Sequence, residues 1–165
     1  MSYVLDAGVW IRGLLGADKD CLEVLRLVLR KKVRVVVNSY CVAEVTRALK
    51  RISYRLSLDS RSLERDLWII LNSNFVVQEF DRPVSEGLLR ELRRAPEILL
   101  ISKLLELEPK DVPYLVIAFK TGSKIVSTDE RSLISKRREI EEKIGVKILR
   151  ISEFLEELEA PYPKQ

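Results

Sequence analysis

Histidine is absent from all 165 residues, and that one absence removes several kinds of chemistry. Without an imidazole there is no Ser-His-Asp or Cys-His activation of a nucleophile, and no histidine acid of the metal-free ribonuclease type. Cysteine is nearly as scarce. With only Cys21 and Cys41, a closed Cys/His zinc site cannot be built within one chain. Both cysteines fall in apolar helical patterns, where a buried free thiol is the expected state. No apolar run approaches the roughly 20 residues a membrane span needs. The start MSYVLDAGVW has no basic segment leading into an apolar one, so no signal peptide and a cytoplasmic location are expected. No glycine-rich phosphate loop or dinucleotide fingerprint occurs. If the protein is a hydrolase, carboxylates holding hard cations are the chemistry left to it.

What is present is an ordinary globular composition, 47% hydrophobic and 33% charged. The net charge of +4 suits a polyanionic partner without requiring one. The length predicts one domain over residues 1–160, with a loose tail at 161–165. Tyr3–Leu5, Val33–Val37, Phe75–Val77, Lys124–Ser127 and Val146–Leu149 read as strands. Helical spacing is expected within Gly8–Leu15 and over Cys21–Arg30, Asn38–Ile52, Leu63–Leu71, Pro83–Arg94, Glu97–Leu105, Val112–Thr121 and Ser132–Ile144. A short acidic helix capped by Ser152 follows. The strands are continuous apolar runs that alternate with helices, the pattern of a parallel sheet buried on both faces. The fold class is α/β.

In such a sheet ligands bind outside the carboxyl ends of the strands. Asp6 closes the first strand, and Asp129 lies just past Lys124–Ser127. Glu44 falls in the second turn of the helix after Val33–Val37. Asp111 opens the helix Val112–Thr121 and shares that edge if the preceding loop folds back there. Each has an ordinary explanation: Asp6 and Asp111 as helix caps, Glu44 as a solvated carboxylate, Asp129 as a turn residue in STDERS. Taken together they are a candidate site, because carboxylates gathered at one edge repel one another unless a cation neutralises them. Oxygen-only ligation selects Mg²⁺ or Mn²⁺, which can activate water for phosphodiester hydrolysis.

The stretches YVLDAGVWI, NSYCVAEVTRAL and KDVPYLVIAFKTGSKIVSTDERSL resemble, in order and spacing, the successive motifs of PIN-domain ribonucleases, the family that includes VapC-type toxins. That resemblance implies a three-layer α/β/α fold with a parallel sheet of about five strands and helices on both faces. It implies a Mg²⁺- or Mn²⁺-dependent endoribonuclease with its metal-binding, catalytic acids at Asp6, Glu44, Asp111 and Asp129. Ser127 matches an accessory hydroxyl, and Glu130 stands near a further acid of the family. It also implies an RNA substrate, a homodimer and, for toxin members, a small antitoxin whose tail crosses the groove. Two departures stand out. Ala7 and Gly8 occupy places where Ser, Thr or Asn is frequent, and Arg131 and Ser132 occupy places where many members carry another acid.

Arg12, Arg47 and Arg51 lie close to the proposed acids, and Arg12 and Arg47 are the better candidates for nucleic-acid contact. Lys136, Arg137 and Arg138 are further candidates, balanced by an exposed face paired with Glu139–Glu142. Trp10 and Trp68 fit apolar stripes and are expected in the core. The alternative to a ribonuclease is a catalytically weak or silent module of the same fold that binds RNA or a partner protein.

Overall fold

The computed structural model describes residues 1–159, so the tail expected at 161–165 lies outside the described residues. The elements are, in order, β1 (Ser2–Leu5), α1 (Ala7–Leu14), α2 (Lys19–Leu29), β2 (Arg34–Asn38), α3 (Ser39–Leu56), α4 (Ser60–Leu71) and β3 (Val76–Glu79). They continue with α5 (Glu86–Arg93), α6 (Pro96–Leu105), α7 (Val112–Thr121), β4 (Lys124–Ser127), α8 (Arg137–Ile144), β5 (Ile148–Arg150) and α9 (Ile151–Glu159). The five strands form one sheet in the order β3-β2-β1-β4-β5, and every neighbouring pair is parallel. This is the expected three-layer α/β/α arrangement. Right-handed crossovers on a sheet of this order place α1–α4 against one face and α7 and α8 against the other.

Burial explains the apolar runs. Val35, Val36 and Val37 are all buried, because layers cover both sides of β2. Trp10, Tyr40, Tyr114 and Phe154 are the largest fully buried side chains. Each buried apolar side chain of this kind contributes about 1.5–3 kcal/mol. Trp10 is therefore core, as expected, whereas Trp68 keeps 38% of its surface exposed. Cys21 and Cys41 are buried and free.

Local signals set the helix ends. The Asn38 side chain caps α3 by accepting from the Cys41 amide at 2.9 Å, and the neighbouring Ser39 hydroxyl donates to the Arg82 carbonyl. Gly122, at φ 64°, closes α7 in the left-handed conformation that favours glycine.

Several boundaries differ from expectation by a few residues, and three have a clear local cause. Pro83 precedes α5 without joining its first turn, since the helix begins at Glu86. The helix expected from Ser132 begins at Arg137, because residues 131–132 turn back to donate their amides to the Asp129 carboxylate. Ser152 lies inside α9 and does not cap it; the Glu153 carboxylate takes the Arg150 amide instead, at 3.0 Å.

No helix among the described residues is long and apolar enough to cross a membrane.

Candidate active site

The order 3-2-1-4-5 reverses direction between β1 and β4, and a crevice at that switch point is where an open α/β sheet takes its ligand. A cavity of about 660 Å³ lies there, and Asp6, Glu44, Asp111 and Asp129 all line it. Asp111 needs no special loop to reach this edge. A crossover helix runs antiparallel to the strands it joins, so the N-terminus of α7 starts at their carboxyl ends. Contacts fix it there: the Asn38 amide donates to the Pro113 carbonyl at 3.3 Å, and the Tyr40 hydroxyl donates to the Lys110 carbonyl at 2.9 Å.

Asp6 is the most tightly held acid. One carboxylate oxygen caps α1 by accepting from the Val9 amide at 3.1 Å. The other accepts from the Ser127 hydroxyl at 2.5 Å and the Thr128 amide at 3.1 Å. Ser127 in turn accepts from the Asp129 amide at 3.0 Å, so one hydroxyl ties two acids together across β1 and β4. Burial pushes the Asp6 carboxyl above its ordinary value, against the three hydrogen bonds, and the charge of Asp129 adds to the rise. Asp111 stands at the N-cap position of α7 but makes no capping bond; it accepts the Ser132 hydroxyl instead. Burial raises its carboxyl to about 6, helped by the charges of Asp129 and Glu44 and opposed by Ser132 and Lys110.

Glu44 is fully engaged. Its Oε1 accepts from the Tyr114 hydroxyl at 2.7 Å. Its Oε2 accepts from Arg93 at 2.8 Å and lies 3.1 Å from the Tyr40 hydroxyl, whose one proton it shares with the Lys110 carbonyl. Arg93 also donates to the Tyr40 hydroxyl at 2.9 Å, which closes the network.

A family model, the PIN domain, matches residues 3–140 of this chain. The chain belongs to the PIN-domain family. Members of this family are generally nucleases that need metal ions. Among solved structures, PAE2754 from Pyrobaculum aerophilum is similar over 98% of both chains, with 19% identity and a TM-score of 0.59. That likeness is one of fold. No curated protein matches the chain.

In this PIN domain neither of the two residues after Asp6 carries a hydroxyl, and the packing accounts for it. A Cβ on Gly8 would lie 2.1 Å from the Thr128 Oγ1. Thr128 and Gly8 both line the cavity. The hydroxyl at this spot thus comes from the end of β4, where a side chain on residue 8 would otherwise stand.

Arg12, Arg47, Arg51, Arg93, Lys110 and Arg131 also line the cavity. The first three were expected near the site; Arg93, Lys110 and Arg131 were not. Lys110 adjoins Asp111 in sequence, and Tyr114 follows it by one helical turn, so both could have been nominated from spacing. Arg93 could not, since it reaches Glu44 from 49 residues away. Lys136 and Arg137 do not line the cavity. They pair with Glu106 at 3.2 Å and Glu153 at 2.7 Å, not with the Glu139–Glu142 partners weighed for them. Arg138 is exposed on α8, outside the cavity. Glu130 lines the cavity, but its carboxylate is held by Arg150 at 2.7 and 3.1 Å.

The donor set of this PIN domain is oxygen only, which suits a hard divalent cation. Asp6 and Asp111 are both raised partly by the charge of Asp129, a mutual repulsion that a cation would relieve. Among the described residues no three acids are gathered into a finished metal cage. Asp6, Asp111 and Asp129 have carboxylates facing the same space, while Glu44 would have to be released by Arg93.

Proposed function

We propose that this PIN domain is a Mg²⁺- or Mn²⁺-dependent endoribonuclease that hydrolyses RNA phosphodiester bonds. One observation carries the reading: four acids from four separate segments line one cavity at the switch point, with six cations around them. Asp6, Asp111 and Asp129 would hold the metal, with Glu44 joining them on release from Arg93. When bound, the metal supplies a water of lowered pKa and positive charge for the phosphoryl oxygens. The chain's own groups orient and bind. Ser127 and the Thr128 amide hold Asp6 in one rotamer, and Arg12 and Arg47 neutralise phosphates at the cavity mouth.

The test is cleavage of an end-labelled single-stranded RNA in Mn²⁺, in Mg²⁺ and in EDTA, by the wild type and by Asp6→Asn/Asp129→Asn. Metal-dependent cleavage that vanishes in the double variant supports the proposal. Equal cleavage by both proteins removes the site from these acids.

The second reading is a weak or silent module that binds RNA or a partner protein. The engagement of Glu44 by Arg93 and two tyrosines favours it. RNA binding without cleavage by purified wild type would select it. A VapC-type toxin role belongs to the first reading and rests on the motif resemblance. It calls for a small antitoxin that abolishes cleavage on mixing and for a homodimer in sedimentation equilibrium.

A further inference from the structure

A second hollow of about 600 Å³ is lined by Arg47, Glu86, Gly87, Arg90, Arg93 and Arg94. It shares Arg47 and Arg93 with the cavity that holds the acids, so the two are neighbours along the seam where α3 packs on α5. Among the described residues Arg47, Arg90 and Arg94 make no ion pair, whereas Arg93 is committed to Glu44. The dipole of α5 accounts for basic residues in its last turn. It does not account for Arg47, which comes from the middle of α3 and faces the same space. Three unpaired guanidinium groups and one carboxylate, Glu86, line the concavity, a net positive charge that an anion there would offset.

The residue type narrows the anion. Arginine presents a planar fork that grips phosphate oxygens through two parallel hydrogen bonds. Arg90 lies in the last turn of α5 and Arg94 is its C-cap, four residues on, so two forks stand at the same helix end. Two of the acids are buried, Asp6 and Asp111 being only 6% and 8% exposed, and Glu44 and Asp129 are half-buried. A flexible single strand can bend down to them, and a stiff duplex cannot.

We infer that the α3–α5 hollow is a phosphate-binding subsite in which Arg47, Arg90 and Arg94 hold the single strand of RNA that flanks the bond placed at the acids. The subsite rests on the nuclease reading for its substrate, and its test separates the two.

Fluorescence anisotropy of a labelled single-stranded RNA would be followed in EDTA across a salt series. The proteins are the wild type, Arg90→Ala/Arg94→Ala and, as a control, Lys32→Ala/Lys147→Ala. The control removes the same charge from exposed residues at the opposite, amino edge of the sheet. Each phosphate contact on a single strand contributes roughly 0.7 to the slope of log K against log salt. The arginine pair should therefore lower that slope by about 1.4 and weaken binding, while the control keeps the wild-type slope. Equal losses in both pairs would overturn the subsite in favour of general charge, as would an unchanged slope in the arginine pair. Tighter binding of a matched duplex than of the single strand, or no binding by the wild type, would also overturn it. Cleavage by the wild type alongside an unchanged arginine slope sinks the subsite and leaves the nuclease. Binding that depends on the arginines without metal-dependent cleavage does the reverse.

Discussion

Replacing Asp111 by asparagine should make the protein more stable at neutral and alkaline pH. In the folded chain this carboxyl is raised from 3.8 to about 6, chiefly by burial. Well below pH 3.8 both the folded and unfolded chains carry it protonated, and burial costs nothing in charge. As the pH rises through 6, the folded chain must ionise a carboxylate that only 8% of its surface keeps in water. A rise of about two units corresponds to about 3 kcal/mol lost above pH 7, as an upper limit. The asparagine oxygen still accepts the Ser132 hydroxyl, so little else is given up. A gain of about 1–3 kcal/mol would lift Tm by roughly 3 to 10 °C in a chain of this size. Thermal unfolding by circular dichroism in EDTA, at pH 4 and pH 8, measures it. The gain should be full at pH 8 and mostly gone at pH 4, where the folded chain keeps the carboxyl protonated. A variant no more stable than wild type at pH 8, or one with equal gains at both values, refutes the argument. Added Mn²⁺ should stabilise the wild type more than the variant, because a bound cation offsets the same buried charge.

Other perturbations probe the rest of the site. Ser127→Ala removes the hydroxyl that donates to Asp6 and accepts from Asp129, and should cost about 1–3 kcal/mol in urea unfolding; a cost near zero means the tie is unimportant. Arg93→Met frees Glu44 of its cation, so Mn²⁺ measured by calorimetry should bind several-fold more tightly than to wild type; weaker binding counts against Glu44 as a ligand. Gly8→Ala drives a Cβ into Thr128 and should reduce cleavage at least tenfold by displacing the loop that carries Asp129. Thr128→Ala in the same chain should restore the unfolding midpoint, and failure to do so locates the damage elsewhere.

Much of the fold was legible because its signals are local or periodic. Runs such as RVVVN can only be satisfied between two layers, and the order of strands and helices leaves few right-handed topologies. Asp6 and Asp129 were legible as residues at strand exits. The state of Glu44 was not. Whether a helix carboxylate meets a metal, water or an arginine depends on how α5 packs, and nothing near NSYCVAEVTRAL announces Arg93. The partners of the basic segment Lys136–Arg138 were not legible either, for the converse reason. Its charge density suggested a phosphate contact, while Glu106 and Glu153, distant in sequence, were already positioned to take two of its members. Gly8 looked like a missing hydroxyl and is instead the room that Thr128 needs.

The bond from Ser127 to Asp6 spans 121 residues. β1 is made early, and while one oxygen of its acid can cap α1 at once, the other stays without its partners until β4 has been made and slotted in beside it. Helices and the β1–β2–β3 half of the sheet can form sooner, but Asp129 follows β4 and joins the other acids last. A chain that works on RNA would therefore be harmless to the message encoding it for most of its own synthesis.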